Sequence, residues 1–179
     1  MTNSRNPRSA STAAHPARRQ WLTTALPLLG AGVAVALLPG LSRAATNTPT
    51  PLEVWKDPNC GCCQDWVDHM QANGFAVKVH ATGNNAVRAR LGLPQKLGSC
   101  HTALVGGYVV EGHVPASDVR KLLQQKPKAL GLAVPGMPVG SPGMDGPAYG
   151  DRRDPYDVLL VARDGSTRVF KSYNKKAST

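Results

Sequence analysis

The sequence predicts an α/β domain in which a small mixed sheet is flanked by helices, with a long Gly/Pro/Met-bearing loop and a β-hairpin near the C-terminus. Three observations predict it. Cys63, Trp66, Val67 and Met70 recur at three- and four-residue spacing soon after a short apolar run, as in a strand followed by an amphipathic helix. Thr102-Ala103-Leu104-Val105 and Tyr108-Val109-Val110-Glu111 flank Gly106-Gly107, as in a hairpin. Tyr156 to Val161 and Thr167 to Phe170 repeat that arrangement around Asp164-Gly165.

The N-terminal 44 residues stand apart. They hold Arg5, Arg8, Arg18, Arg19 and Arg43 and no acidic residue, then an apolar stretch from Trp21 to Leu41 broken by Pro27 and Pro39. Ser42-Arg43-Ala44 fits the small-x-small rule before a cleavage point. Arg18-Arg19-Gln20-Trp21-Leu22 has the form of a twin-arginine export signal. We read 1–44 as a signal peptide cleaved near Ala44. The expectation is a periplasmic protein that meets the twin-arginine export machinery and keeps no stable membrane span. Cleavage removes five of the 21 basic residues and none of the 11 acidic ones, so the formal charge falls from +10 to +5. The remaining basic residues are scattered and form no aromatic-interleaved strip, which argues against nucleic acid as a partner.

The elements then follow in order. Residues 45–51 form a polar, proline-marked linker, and the domain proper spans 52–174. Leu52 to Trp55 is a short strand, and Lys56 to Asn59 is a turn whose Asn59 is positioned to cap the next helix. The helix runs from Cys62 to Asn73, Gly74 ends it, and Phe75 to Val79 is the second strand. Asn84 to Leu91 is a shorter helix stopped by Gly92-Leu93-Pro94. The first hairpin follows, then a helix from Pro115 to about Gln125 with Val119, Leu122 and Leu123 facing inward. Residues 127–155 are a long Gly/Pro loop with Met137 and Met144, residues 156–171 are the second hairpin, and 175–179 are a tail. The order β-α-β-α-β-β-α is the thioredoxin-like plan.

The chemistry lies in the cysteines. Three of the four fall in Cys60-Gly61-Cys62-Cys63, and the fourth is in Ser99-Cys100-His101-Thr102. Outside the cytoplasm disulfides persist, so two structural bridges are one reading. A vicinal Cys62–Cys63 bridge is strained, which makes this a poor framework for two bridges. At a helix N-terminus the unpaired N–H groups and the dipole favour thiolate, and Gly61 is expected to let the flanking sulfurs converge. In the thioredoxin-like plan the segment before the third strand crosses opposite that turn. This places Cys100 and His101 against Cys60–Cys63 by topology rather than by spacing.

Four thiols, an imidazole and the methionines of a closing loop make a soft donor set that favours Cu(I). Zinc accepts four cysteines, or three and a histidine, but leaves the methionines unexplained. Three thiolates in one turn can also bridge several ions. Met70 lies on the core stripe and reads as packing. His69 is seven residues, or roughly 10.5 Å, along the helix from Cys62 and too far to share an ion, so it reads as surface or structural. His80 ends a strand and reads as exposed. For His113, ligand, supporting and structural roles all stay open.

Taken together, 55–63, 99–103, 111–115, 131–138, 140–144 and 154–158 resemble the exported bacterial thioredoxin-like metal-binding family that includes the copper-resistance protein CopG. The resemblance spans Leu52 to Phe170. The segment Gly146 to Arg153 departs from the family's pattern. The resemblance implies copper held by the Cys-x-Cys-Cys motif and the Ser-Cys-His segment, and a role in periplasmic copper handling with redox conversion of copper as one form. The ligands it implies are Cys60, Cys62, Cys63 and Cys100, then His101, His113, Met137 and Met144. The competing reading is a thiol–disulfide oxidoreductase using Cys60 and Cys63. Cys62 counts against it as an interfering nucleophile, and so does Cys100-His101 in place of the usual proline.

Overall fold

A computed structural model of the chain describes residues 48–175. The export segment expected at 1–44, its cleavage point and most of the tail lie outside the described residues. The elements run β1 (Thr50–Lys56), α1 (Gly61–Ala72), β2 (Phe75–His80), α2 (Asn85–Arg90), a 3-10 turn (Gln95–Leu97), β3 (His101–Val105), β4 (Tyr108–Glu111) and α3 (Ala116–Gln125). Then come β5 (Gly131–Ala133), a second 3-10 turn (Pro147–Tyr149), β6 (Tyr156–Val161) and β7 (Thr167–Tyr173).

One mixed sheet of seven strands results, in the order β2-β1-β3-β4-β5-β6-β7. β1–β2 and β4–β5 are parallel and the other four pairs antiparallel. Side chains alternate between the faces. Leu52, Val54, Ala103, Val105, Val110, Leu132, Val158 and Leu160 share one core with Trp66, Val67 and Met70 of α1 and with Ala116, Val119 and Leu122 of α3. Val109, Ala133 and Val161 belong to a second core with Leu93 and Leu97, which follow α2. Neighbouring residues of β4, β5 and β6 thus divide between the two cores, and helical segments cover both faces. The four residues expected as the α1 stripe are its buried ones.

Several expectations shift. β1 begins at Thr50, inside the expected linker, because Thr50 N–H donates to the Gly74 carbonyl (3.1 Å) and the parallel register with β2 starts there. The stretch 127–155 is not loop throughout. Residues 131–133 form β5, parallel to β4 and antiparallel to β6, so the C-terminal hairpin continues the main sheet. Leu123 packs at the core margin, half-buried.

β5 depends on glycine. A Cβ on Gly131 would stand 1.7 Å from the Val109 carbonyl oxygen. We therefore expect Gly131→Ala to destabilise the domain by about 3 kcal/mol. Urea unfolding measures it, and an unchanged midpoint would mean that β5 does not pair this closely with β4.

Candidate metal centre

The site starts where β1 ends. The Lys56 side chain is buried, and its ammonium donates to the carbonyls of Asp57 (2.9 Å) and Pro58 (3.4 Å), which pins the turn after the strand. Asn59 N–H donates to the Asp57 carboxylate at 2.8 Å, and Cys60 N–H to the Asp57 carbonyl at 3.2 Å. Asp57 thus closes the turn, and Cys60 rather than Asn59 occupies the N-cap of α1, without a side-chain cap bond. Gly61 is not sterically required, since an added Cβ would meet nothing within 4 Å. Cys60 and Cys63 are joined as a disulfide across this turn, and Cys62 and Cys100 are free. Cys62 Sγ lies 3.6 Å from Cys60 Sγ.

β3 supplies the opposite side. Lys56 pairs with His101 in the antiparallel β1–β3 register, so the residue before β3 faces the turn after β1. Cys63 Sγ lies 3.6 Å from the Cys100 carbonyl oxygen. The sulfurs of Cys60, Cys62, Cys63 and Cys100 all lie within 4.8 Å of one another, and Cys100, His101 and His113 form a second group of the same compactness. Two sulfurs on one ion stand at most about 4.6 Å apart, twice a metal–sulfur bond of about 2.3 Å. The cluster is therefore near the size of a metal site, and once Cys60–Cys63 is reduced it offers four thiols.

His113 is oriented for coordination. Its Nδ1 lies 2.8 Å from the Pro142 carbonyl, which can only accept, so Nδ1 carries the proton. Nε2 is left with a lone pair facing Cys100 Sγ at 3.1 Å. A histidine that donates its other ring N–H to a carbonyl is the usual arrangement of a metal ligand. His101 is fully buried, 4.4 Å from the Trp66 ring centroid and 5.0 Å from that of His113. Its Nδ1 lies 3.4 Å from Cys100 Sγ, and its Nε2 has no hydrogen-bond partner among the described residues.

Burial sets the protonation. It pushes the Cys100 thiol up to about 12, with neighbouring Cys62 adding to the shift. It pushes His101 well below its ordinary value, with His113 and Lys56 adding to the effect, and it also lowers His113. Without metal Cys100, His101 and His113 are thus held neutral, and a metal ion binding there would have to displace the Cys100 proton.

The loop closes over this site in two places. A Cβ on Gly143 would stand 2.7 Å from the Cys62 carbonyl and 2.8 Å from Trp66 N, so only glycine lets the loop lie on the first turn of α1. Met144, next in sequence, is buried and takes a hydrogen bond from the Tyr149 hydroxyl (3.3 Å to Sδ). Met137 is 52% exposed and, with Ser99 and Cys100, lines a surface cavity of about 390 Å³. The two methionines are thus placed differently. His69 is structural, since its Nε2 accepts from Ala116 N–H (3.2 Å) at the start of α3. His80 is half-buried, not exposed, because it stacks on Trp55 (centroids 4.7 Å apart) and pairs with Glu53 at 2.8 Å.

Sequence reasoning missed a polar cluster beneath Cys100. Arg88 of α2 and Glu111 of β4 form a buried ion pair (2.8 Å), and Asn84 joins them through Ser99 and Thr102. Glu111 could have been suspected as a charge ending an otherwise apolar strand. Arg88 gave no signal, because a basic residue on a short helix usually points to solvent. Burial raises the Glu111 pKa against the opposing pull of Thr102, Ser99 and Arg88.

The depressed histidines give a pH dependence. Unfolding restores them to their ordinary value of 6.5, so below that value the unfolded chain binds more protons. Stability of the metal-free protein should therefore fall as pH drops below about 6.5. Glu111, with its raised pKa, works in the opposite direction, so the comparison that isolates the effect is with His113→Asn. Melting temperatures from about pH 7 to about pH 5 should decline less steeply in that variant. Parallel declines would mean that His113 is not held neutral.

Comparison with known proteins follows the same lines. A family described as protein of unknown function, DUF411, matches residues 97–144, which include Cys100, both buried histidines and both loop methionines. No curated protein matches. Two solved structures, described as copper resistance protein CopG in Form 1 and Form 2, are each 49% identical, with a TM-score of 0.65. Each match covers 70% of this chain and 98% of the solved one. With near-complete coverage of those proteins at that identity, the chain belongs to the family of the copper resistance protein CopG.

Proposed function

We propose that this is an exported, periplasmic copper-handling protein that binds Cu(I) through Cys60, Cys62, Cys63 and Cys100, with His101 and His113 beside them and Met137 and Met144 on the covering loop. The observation that carries this is the convergence of four cysteine sulfurs within 4.8 Å in a chain 49% identical to a copper resistance protein. Soft sulfur and neutral imidazole favour Cu(I), with zinc the lesser candidate. Sharing of thiolates between ions would give a polynuclear, redox-active cluster. The fold is read as thioredoxin-like, since β2-β1-β3-β4 with α1 and α3 on one face follows that plan. Cleavage of 1–44 after twin-arginine export delivers the domain, and other periplasmic copper-handling proteins are its natural donors and acceptors. No helix among the described residues is long and apolar enough to cross a membrane.

The second reading is a thiol–disulfide oxidoreductase, favoured by the Cys60–Cys63 disulfide. Metal analysis decides between them. Reduced protein reconstituted with Cu(I) under exclusion of oxygen should retain stoichiometric copper, and Cys62→Ser should lose it. Full copper binding by that variant, together with insulin reduction by the wild-type protein, would establish the oxidoreductase instead.

The methionines give a separate test. Changing both Met137 and Met144 to Leu should weaken Cu(I) affinity about tenfold, or about 1.4 kcal/mol, with the circular dichroism spectrum unchanged. Unchanged affinity in a chelator competition would reduce both to loop packing.

A further inference from the structure

We propose that the buried Arg88–Glu111 ion pair is the positioning device for Cys100, holding the 99–102 segment so that its thiol faces the Cys60–Cys63 turn. This rests on the copper-binding reading, and neither residue reaches the metal donors itself. Glu111 grips the segment on both sides of Cys100-His101. Its Oε1 accepts from Ser99 N–H at 2.7 Å, and its Oε2 accepts from the Thr102 hydroxyl at 2.6 Å. Arg88 completes the grip, since Nη2 donates to the Ser99 carbonyl at 2.6 Å while Nε donates to Glu111 at 2.8 Å. Asn84 Nδ2 donates to the Ser99 carbonyl and to Thr102 Oγ1, each at 3.2 Å. Both backbone polar groups of the residue before Cys100 are thus bonded to charged side chains.

The charges are deeply buried, with 4% of the Arg88 side chain and none of the Glu111 side chain exposed. A buried ion pair is a poor source of stability, because desolvation offsets its attraction and an apolar replacement is often neutral. What it does supply here is direction. Charge-assisted bonds to a backbone N–H and a backbone carbonyl fix the short link between the 3-10 turn at Gln95–Leu97 and β3. The Arg88 fork takes Ser99, Glu111 and Asn85 Oδ1 (3.0 Å) at once, which lysine cannot do.

The test uses Glu111→Gln and Arg88→Lys in the mature protein, each checked by circular dichroism and melting. Glu111→Gln keeps an acceptor and loses the charge. Arg88→Lys keeps the charge and loses the fork. In chelator competition, Cu(I) affinity should fall about tenfold to a hundredfold in both variants, the range for residues that orient metal ligands. A double-mutant cycle with Cys100→Ser should be non-additive, because a device that acts through Cys100 has nothing to position once the sulfur is gone. Unchanged affinity, or losses that add in full, would overturn the proposal.

A metal-free measurement runs alongside. With Cys60–Cys63 oxidised, diamide converts the Cys62 and Cys100 thiols to a disulfide and is itself reduced to its hydrazine. The two sulfurs lie within 4.8 Å, so closure should be fast in the wild type and about tenfold slower in both variants. Equal closure rates overturn the positioning role. Wild-type protein that binds no copper would overturn the proposed function, and the positioning role would then stand or fall on the closure rates. If one variant fails to fold, the other carries both measurements.

Discussion

The antiparallel register of β1 against β3 is the constraint on which the centre depends. It sets Lys56, the last residue of β1, opposite His101, the first residue of β3. The cysteine turn begins four residues after Lys56, and Cys100 immediately precedes His101. One strand pairing therefore brings together two thiol-bearing segments forty residues apart. A one-residue slip would turn every β3 side chain to the other face and remove His101 from its place against Trp66. Nothing local in either segment enforces the meeting. The sheet does, through the two cores that hold its faces apart.

Burial then decides the chemistry of what has been assembled. Cys63, His101 and His113 are inaccessible to solvent, so charge appearing there without a partner is costly. The thiol of Cys100 keeps its proton and the imidazoles stay neutral until a cation arrives. A soft ion bound there would take the Nε2 lone pair of His113, whose Nδ1 proton is held by the Pro142 carbonyl, and would displace the cysteine proton. Under the proposed function, the Cys60–Cys63 disulfide and a four-thiolate metal site would be alternative states of the same sulfurs, two electrons apart. If the proposed function holds, redox state and metal occupancy are linked through these two cysteines.

The covering segment shows how a loop-like composition can hide structure. Residues 131–133 carry one glycine, one alanine and one leucine between prolines and glycines, too short a run for periodicity to register. They form a strand because β4 and β6 both present free edges and because Gly131 has no side chain to hold Val109 away. With that strand in place, the chain on its far side is carried back across the cysteine turn. Met144 ends up buried beside Tyr149, and Met137 remains at the surface near Cys100.

The sequence by itself determined the chemical character of the centre. The clustered thiols, their place at the start of a helix, the helical stripe through Met70, both hairpins and the β-α-β-α-β-β-α order were legible because each rests on short-range spacing. The placement of Cys100 followed from that order by analogy of topology. Only the tertiary structure decided what depends on distant partners. Asn59 lost the cap because Asp57 closed the turn first, and His80 left solvent because Trp55 offered it a stacking face. The proton of His113 was settled by a carbonyl twenty-nine residues away, and β5 by two strand edges. The Arg88–Glu111 pair was invisible for the same physical reason. A residue type states what a side chain can bond to, but burial and approach state what it does bond to, and those are properties of the folded chain.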